Sequence, residues 1–254
     1  MHSNLWKLCS LLKQKKIKVT LLSTGLLLVK HSRHIVENVD EVIVSLDGSR
    51  DVHNRIRNIP EAFGKLADGV KAIKDLKPSF RITGRCVLQK ENYFDFNNII
   101  KSAKEIGLDQ ISFLPADIST SAFNHHGTLD SHAIALTAEE SEDLKNIIDG
   151  SEYISEFVAE PREKLKRIAL YYLALLGKTS FESPPCNAPW VSAVLESDGR
   201  LMPCFFHKEY GNVFNNDFER VLNSNEAVAF RKNLTVKKNE VCRKCVCSLK
   251  LPII

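Results

Sequence analysis

Residues 41–48 read EVIVSLDG, and this stretch decides the fold. Glu41–Leu46 is a β-branched, apolar run of strand length, and Asp47-Gly48 closes it with a turn signal. Working outward, the same grammar repeats. Upstream, Leu5–Lys15 carries Leu5, Cys9, Leu11 and Leu12 in amphipathic helical spacing. Ile17–Leu22 predicts a short buried strand, and Leu27–Val36 a helix. Downstream, Pro60 opens a helix through Leu76 with Phe63, Leu66, Val70 and Ile73 on one face. Phe80–Leu88 predicts a third strand, Phe94–Ile106 a helix, and Gln110–Leu114 a fourth strand. Strands alternating with helices, in runs too apolar for a half-solvated sheet, predict an α/β fold. Its sheet is parallel, its helices lie outside, and its crossovers are right-handed.

From Pro115 the rhythm breaks, and residues 115–136 are mostly polar. Thr137 to Glu140 has the spacing of a capping box, so a helix starts there, and another spans Pro161–Leu176. Lys178–Pro185 has linker composition. Two short strands follow near Trp190–Leu195 and Gly199–Pro203, joined at Ser197-Asp198-Gly199. Asp217 and Ser224 each precede a short helix. The strand at Ile17–Leu22 leaves an open sheet edge with nothing upstream to cover it. The expectation is that the chain is missing its beginning.

The chain has 254 residues, 44% hydrophobic and 26% charged, with a formal charge of +4. This is the composition of a globular protein, which excludes disorder, collagen and coiled coil for the bulk of the chain. The longest apolar run, near Ile168–Gly177, is about half of what a bilayer crossing needs. The amino terminus has no secretory pattern. A cytoplasmic location is expected, with neither membrane nor nucleic acid as partner.

Seven cysteines are present, an odd number that makes a disulfide framework a poor explanation. Cys9 and Cys86 sit alone in apolar segments and read as buried structural thiols. The other five follow the pattern Cys186-x17-Cys204, 37 residues, then Cys242-x2-Cys245-x-Cys247. A Cys-x2-Cys turn presents two thiolates to one metal centre, and two cysteines flanking a hairpin supply two more. Five thiols compete for four places, with Cys245 and Cys247 the ambiguous pair. Iron–sulfur and zinc both accept four thiolates, and a single Cys-x2-Cys knuckle favours iron–sulfur over a zinc ribbon. Arg231, Lys232, Lys237, Lys238, Arg243, Lys244 and Lys250 surround the knuckle, a basic setting expected to lower thiol pKa values.

Val44-Ser45-Leu46-Asp47-Gly48, followed by His53 and Arg57, resembles radical SAM enzymes that carry a SPASM or twitch auxiliary-cluster domain. Cys186-x12-Gly199-x4-Cys204, then Gly211-Asn212 and Cys242-x2-Cys245, is similar to the carboxy-terminal pattern of that family. The resemblance implies an incomplete radical-SAM-type (β/α)6 partial barrel over residues 1–136, a helical connector over 137–180, and a small cysteine-rich SPASM/twitch-like domain over 181–254. It implies one auxiliary [4Fe-4S] cluster held by Cys186, Cys204, Cys242 and either Cys245 or Cys247. It also implies S-adenosylmethionine at the strand ends, with Ser45 and Arg57 near its polar groups, Ser23, Thr24 and Gly25 near the ribose, and Leu114 on the adenine. An enzyme of this kind cleaves SAM reductively and abstracts hydrogen from a peptide or small molecule, with an electron donor such as flavodoxin or ferredoxin. The family's Cys-x3-Cys-x2-Cys loop is absent here, as is its Gly-Gly-Glu-Pro segment. The chain is therefore expected to be the carboxy-terminal part of a truncated enzyme, unable to generate a radical by itself. The other classes are a zinc-stabilised α/β binding module and a stand-alone electron-transfer protein.

Several further residues could carry chemistry. His125, His126 and His132 lie in a polar loop and read as loop or substrate-facing groups; His207 reads as a surface histidine, with a place beside the cluster as the alternative. Asp117 and Asp130 are possible proton acceptors, and nothing ranks them.

Overall fold

The computed structural model describes residues 3–120, 122 and 131–252. The chain divides into two compact units, Met1–Pro115 with Ile134–Tyr172, and Ala116–Ala133 with Leu173–Ile254. The first is built on a parallel sheet of β1 (Thr20–Ser23), β2 (Glu41–Ser45), β3 (Arg81–Leu88) and β4 (Gln110–Pro115), in that spatial order. Around it run α1 (Leu5–Gln14), α2 (Leu28–Asn38), α3 (Arg50–Arg57), α4 (Ala62–Leu76) and α5 (Phe96–Glu105). After β4 come α6 (Ser131–Ile134), α7 (Ala138–Gly150) and α8 (Arg162–Leu175). This is the α/β architecture expected, with α4 burying Phe63, Leu66, Val70 and Ile73. Each such side chain contributes roughly 1.5–3 kcal/mol on leaving water. At Thr137 the capping box forms in both directions: Thr137 Oγ1 accepts the Glu140 N–H at 3.2 Å and Glu140 Oε2 accepts the Thr137 N–H at 2.8 Å.

Three expectations for this unit need correction. The sheet is not covered on both faces. Val42 and Val44 of β2 are fully buried, whereas Glu41, Ile43 and Ser45, which alternate with them, are half-buried. The open face carries a polar ladder in which Glu41 bonds Lys18 Nζ and Arg81 Nε, each at 3.1 Å, and Arg81 Nη2 donates to Gln110 Oε1 at 3.1 Å. Such a ladder is compatible with water and would be costly under hydrocarbon. The first strand is not buried either. It starts at Thr20, and as an edge strand with one neighbour it leaves Ile17 51% and Leu22 67% exposed. Finally, α3 has no counterpart in the apolar pattern, because its sequence RDVHNRIR offers little beyond Val52 and Ile56 to bury.

In the second unit β5 (Val194–Leu195), β6 (Arg200–Met202) and β7 (Gly211–Asn212) form a small antiparallel sheet. The helices are α9 (Ala188–Val191), α10 (Phe218–Leu222), α11 (Asn225–Asn233) and α12 (Glu240–Arg243). Trp190 lies in α9 and not in a strand, since Pro189 supplies a preset φ in the first helical turn, where no N–H is needed. The β5–β6 turn needs Gly199: its φ is +87°, and a Cβ there would stand 2.6 Å from Asn212 Oδ1. Asp217 and Ser224 precede α10 and α11 as expected, and Ser224 Oγ accepts the Ala227 N–H at 3.2 Å. Among the described residues no helix is long and apolar enough to cross a membrane.

Candidate functional site

In the second unit, the residue beside Cys186 fixes where that thiol sits. Asn187 is 5% exposed. Its Nδ2 donates to Leu251 O at 2.7 Å, its Oδ1 accepts the Leu251 N–H at 3.0 Å, and its own N–H donates to Leu249 O at 2.8 Å. Position 186 is thereby clamped to the segment just beyond Cys247. Asn239 caps α12 by accepting the Cys242 N–H at 3.0 Å, which orients the Cys-x2-Cys turn. The hairpin delivers Cys204 two residues after β6. The outcome is a pocket lined by Cys186, Cys204, Cys242, Cys245 and Cys247, walled by Pro189, Phe206, Val236 and Val241, with His207 at its side. Its empty volume is about 390 Å³, open mouth included.

The electrostatics correct the expectation drawn from the basic flank. Burial pushes the Cys245 thiol up to about 12 and Cys242 up to about 11, and raises Cys204 as well. The neighbouring thiols add to the effect: Cys186 and Cys204 on Cys242, Cys186 and Cys247 on Cys204. Desolvation and mutual repulsion thus outweigh the surface cations, and these thiols are protonated until something electrophilic takes their protons' place. Donors are already aimed at the sulfurs. The N–H groups of Phe206 and His207 face the Cys204 thiol, and the Cys247 N–H donates to Cys245 Sγ at 3.4 Å.

Among the described residues no three His, Cys, Asp or Glu side chains close to the spacing that a single ion demands. Zinc and iron–sulfur centres both accept thiolate ligands, and the pocket brings five thiols together. His207 is not a surface histidine. It is half-buried, with its ring edge-on to Phe230 at 5.0 Å and Nε2 3.3 Å from Cys242 Sγ. Cys9 and Cys86 are buried in the first unit, apart from this pocket in the chain.

The strand ends of the first unit carry the other residues singled out. Register pairs Ser45 with Arg85 and Arg85 with Ser112, so these three share the open face, and Leu114 lies on it two residues further along β4. Ser23 pairs with Val44, a residue of the helix-covered face, and its Oγ accepts the Gly25 N–H at 3.1 Å. Thr24 follows, exposed. Arg57, at the end of α3, is held by Asp47: Nη2 stands 2.5 Å from Asp47 Oδ2. Among the described residues its Nε is buried with no hydrogen-bond partner.

Burial raises the Asp47 carboxyl, and Arg57 opposes that rise. His53, fully buried behind it, accepts the Asp47 N–H at Nδ1 (3.1 Å). Desolvation, followed by the Arg57 charge, lowers the His53 pKa to about 4, so its 3.9 Å approach to Asp47 Oδ2 is not an ion pair. Asn92, also fully buried, donates to Asp47 O at 2.8 Å and to Val87 O at 2.9 Å. Sequence reasoning missed Asn92; a polar residue two positions before the aromatic start of a helix gave no signal of it. Gly48 is required here for close approach, since a Cβ would stand 2.4 Å from Val52 Cγ1.

Asp117 is engaged locally, its carboxylate accepting from Ser119 N–H at 3.1 Å and from Ser119 Oγ and Thr120 Oγ1. His125, His126, Asp130 and the side chain of His132 lie outside the described residues.

Residues 186–246 match the family model for SPASM, an iron–sulfur cluster-binding domain. Among solved structures, native anSMEcpe with bound AdoMet and Cp18Cys peptide aligns at 22% identity and TM-score 0.56, over 90% of this chain and 65% of that one. Streptococcus suis SuiB bound to precursor peptide SuiA aligns at 13% identity and TM-score 0.61, over 97% of this chain and 58% of that one. SuiB bound to S-adenosylmethionine aligns at 12% identity and TM-score 0.59, over 96% and 58%. The chain therefore spans 58% to 65% of the length of these structures, and at such identities the likeness is one of fold. No curated protein matches the chain. In fold the chain is similar to radical SAM enzymes of the SPASM type, and its residues 186–246 match their iron–sulfur cluster-binding domain.

Proposed function

We propose that this chain provides the SAM-facing strand ends and the auxiliary-cluster domain of an enzyme that modifies a peptide. The carrying observation is the convergence of all five carboxy-terminal cysteines on one pocket, four of them within the matched SPASM segment. Cys186, Cys204, Cys242 and Cys245 would hold a [4Fe-4S] cluster. Cys245 is preferred to Cys247 because it is the less exposed and lies inside the matched residues, which end at 246. When bound, such a cluster supplies a one-electron redox centre. The chain's own residues exclude water with Pro189, Val236 and Val241 and direct N–H donors at the sulfurs.

At the strand ends, the Arg57 guanidinium, held by Asp47 and partly exposed, would meet the SAM carboxylate, and Ser45 would contribute from the end of β2. Thr24 is assigned to the ribose and Leu114 to packing on the adenine, while Ser23, on the helix-covered face, would shape the turn that presents Thr24. A peptide is favoured over a small molecule because fold relatives carry the peptides Cp18Cys and SuiA. A flavodoxin- or ferredoxin-type donor would meet exposed Lys237, Lys238 and Arg243 near the pocket. In this reading residues 1–136 form the partial barrel, 137–180 the connector and 181–254 the cluster domain, and the enzyme works in the cytoplasm. With no Cys-x3-Cys-x2-Cys loop in its sequence, the chain alone starts no radical reaction.

The test is anaerobic reconstitution of the full chain with iron and sulfide. About four irons and four sulfides per chain are expected, with broad brown absorbance. Cys245→Ser should lose the cluster and Cys247→Ser keep it. Zinc bound in preference to iron, or iron uptake indifferent to Cys186→Ser and Cys204→Ser together, overturns the proposal.

A further inference from the structure

His207 supplies an imidazole at the thiol pocket, and through its ring and its backbone it meets two cysteines that are far apart in sequence. Its Nε2 stands 3.3 Å from Cys242 Sγ, while its backbone N–H faces the Cys204 thiol. The residue therefore joins the hairpin that presents Cys204 to the turn that presents Cys242. Its ring is fixed and not free to swing: Phe230 of α11 packs against it edge-on at 5.0 Å, and Phe230 is in turn edge-on to Tyr210 at 5.9 Å. A thiolate carries no hydrogen, so the contact to a ligating Cys242 is a hydrogen bond only if Nε2 is the donor, which fixes the imidazole as the Nε2–H tautomer.

Resting on the cluster assignment above, we propose that His207 is a positioning residue that donates a hydrogen bond to the cluster thiolate of Cys242 and thereby raises the cluster's reduction potential. A donor at sulfur withdraws electron density and stabilises the reduced form more than the oxidised one, because the added electron falls partly on the ligands. The same bond holds Cys242 in its binding orientation, so that the pocket side of the Cys-x2-Cys turn does not depend on the α12 cap alone.

The experiment uses the full reconstituted chain, with dithionite as the one-electron reductant. Iron and sulfide content, the EPR spectrum of the reduced cluster and its midpoint potential are measured for wild type, His207→Phe and His207→Gln. His207→Phe should keep its iron and shift to a more negative potential with altered EPR g-values. His207→Gln, which keeps an N–H donor of similar reach, should return most of the way to wild type. Equal potentials in wild type and His207→Phe at equal iron content overturn the inference, and so does an equal displacement in both variants. A strong ¹⁴N coupling in the wild-type cluster also overturns it, because His207 would then be a ligand and not a donor. If His207→Phe loses its iron, the comparison of His207→Gln with wild type decides, a wild-type potential and spectrum supporting the bond. A wild-type chain that binds no iron defeats the cluster assignment itself, and this inference with it.

Discussion

Asn187→Ala should loosen the thiol pocket without touching a cysteine. The substitution removes the Asn187 Nδ2–Leu251 O and Leu251 N–Asn187 Oδ1 bonds, at 2.7 and 3.0 Å, and leaves the backbone bond to Leu249 O in place. Each part-buried bond contributes about 0.5–1.5 kcal/mol net, so the expected loss is about 1–3 kcal/mol. Leu251 is 43% exposed, so its freed backbone groups regain water and the cost stays below that of two buried orphans. Trp190 lies three residues away in α9 and reports the region by fluorescence. In urea, with a slope of about 2 kcal/mol/M, the midpoint should fall by roughly 0.5–1.5 M. Asn187→Asp, which sets a buried carboxylate oxygen against Leu251 O, should cost at least as much. Iron bound on reconstitution should fall in the same order. An unchanged midpoint together with unchanged iron uptake in Asn187→Ala would refute the clamp.

Three further outcomes are expected. His53 is a base whose pKa is lowered on folding from 6.5 to about 4, so the unfolded chain takes its proton first as pH falls. Its contribution is intact above pH 6.5 and is lost between 6.5 and 4, up to about 3 kcal/mol, partly offset by Asp47, whose raised pKa acts in the opposite sense. Urea midpoints from pH 7 to 4.5 should therefore drop less steeply in His53→Gln than in wild type. Tyr172→Phe removes the 2.5 Å bond to Leu88 O at a fully buried site and should cost about 1–3 kcal/mol, measured as a lower thermal midpoint. Gly199→Ala forces a left-handed backbone on alanine and crowds Asn212, so it should cost about 2 kcal/mol and reduce iron uptake on titration.

The parallel sheet was legible because hydrophobic periodicity reports burial directly: α4 buries Phe63, Leu66, Val70 and Ile73, the four residues its spacing selects. The same reasoning overshot at Ile17 and Leu22, since an apolar run does not say whether a neighbour lies on each side. It passed over α3, whose buried residues include His53, a side chain that no apolar pattern counts. At the pocket the spacing of the cysteines identified all five that meet. The raised pKa values of Cys204, Cys242 and Cys245 were not legible, because local sequence charge is visible in a string and desolvation is not. The contact of His207 with Cys242 spans 35 positions, a distance over which sequence alone carries no register.

The Asn187 clamp also dictates an order of assembly. Its two anchoring points lie 64 positions apart, so the pocket cannot close until residue 251 has left the ribosome. Until then Cys186 and Cys204 are displayed on a nascent chain with nothing opposite them. Closing so long a loop is slow compared with forming the hairpin or a helix. A cofactor held by these sulfurs would load only after that closure, and before it the sulfurs are most open to oxidation.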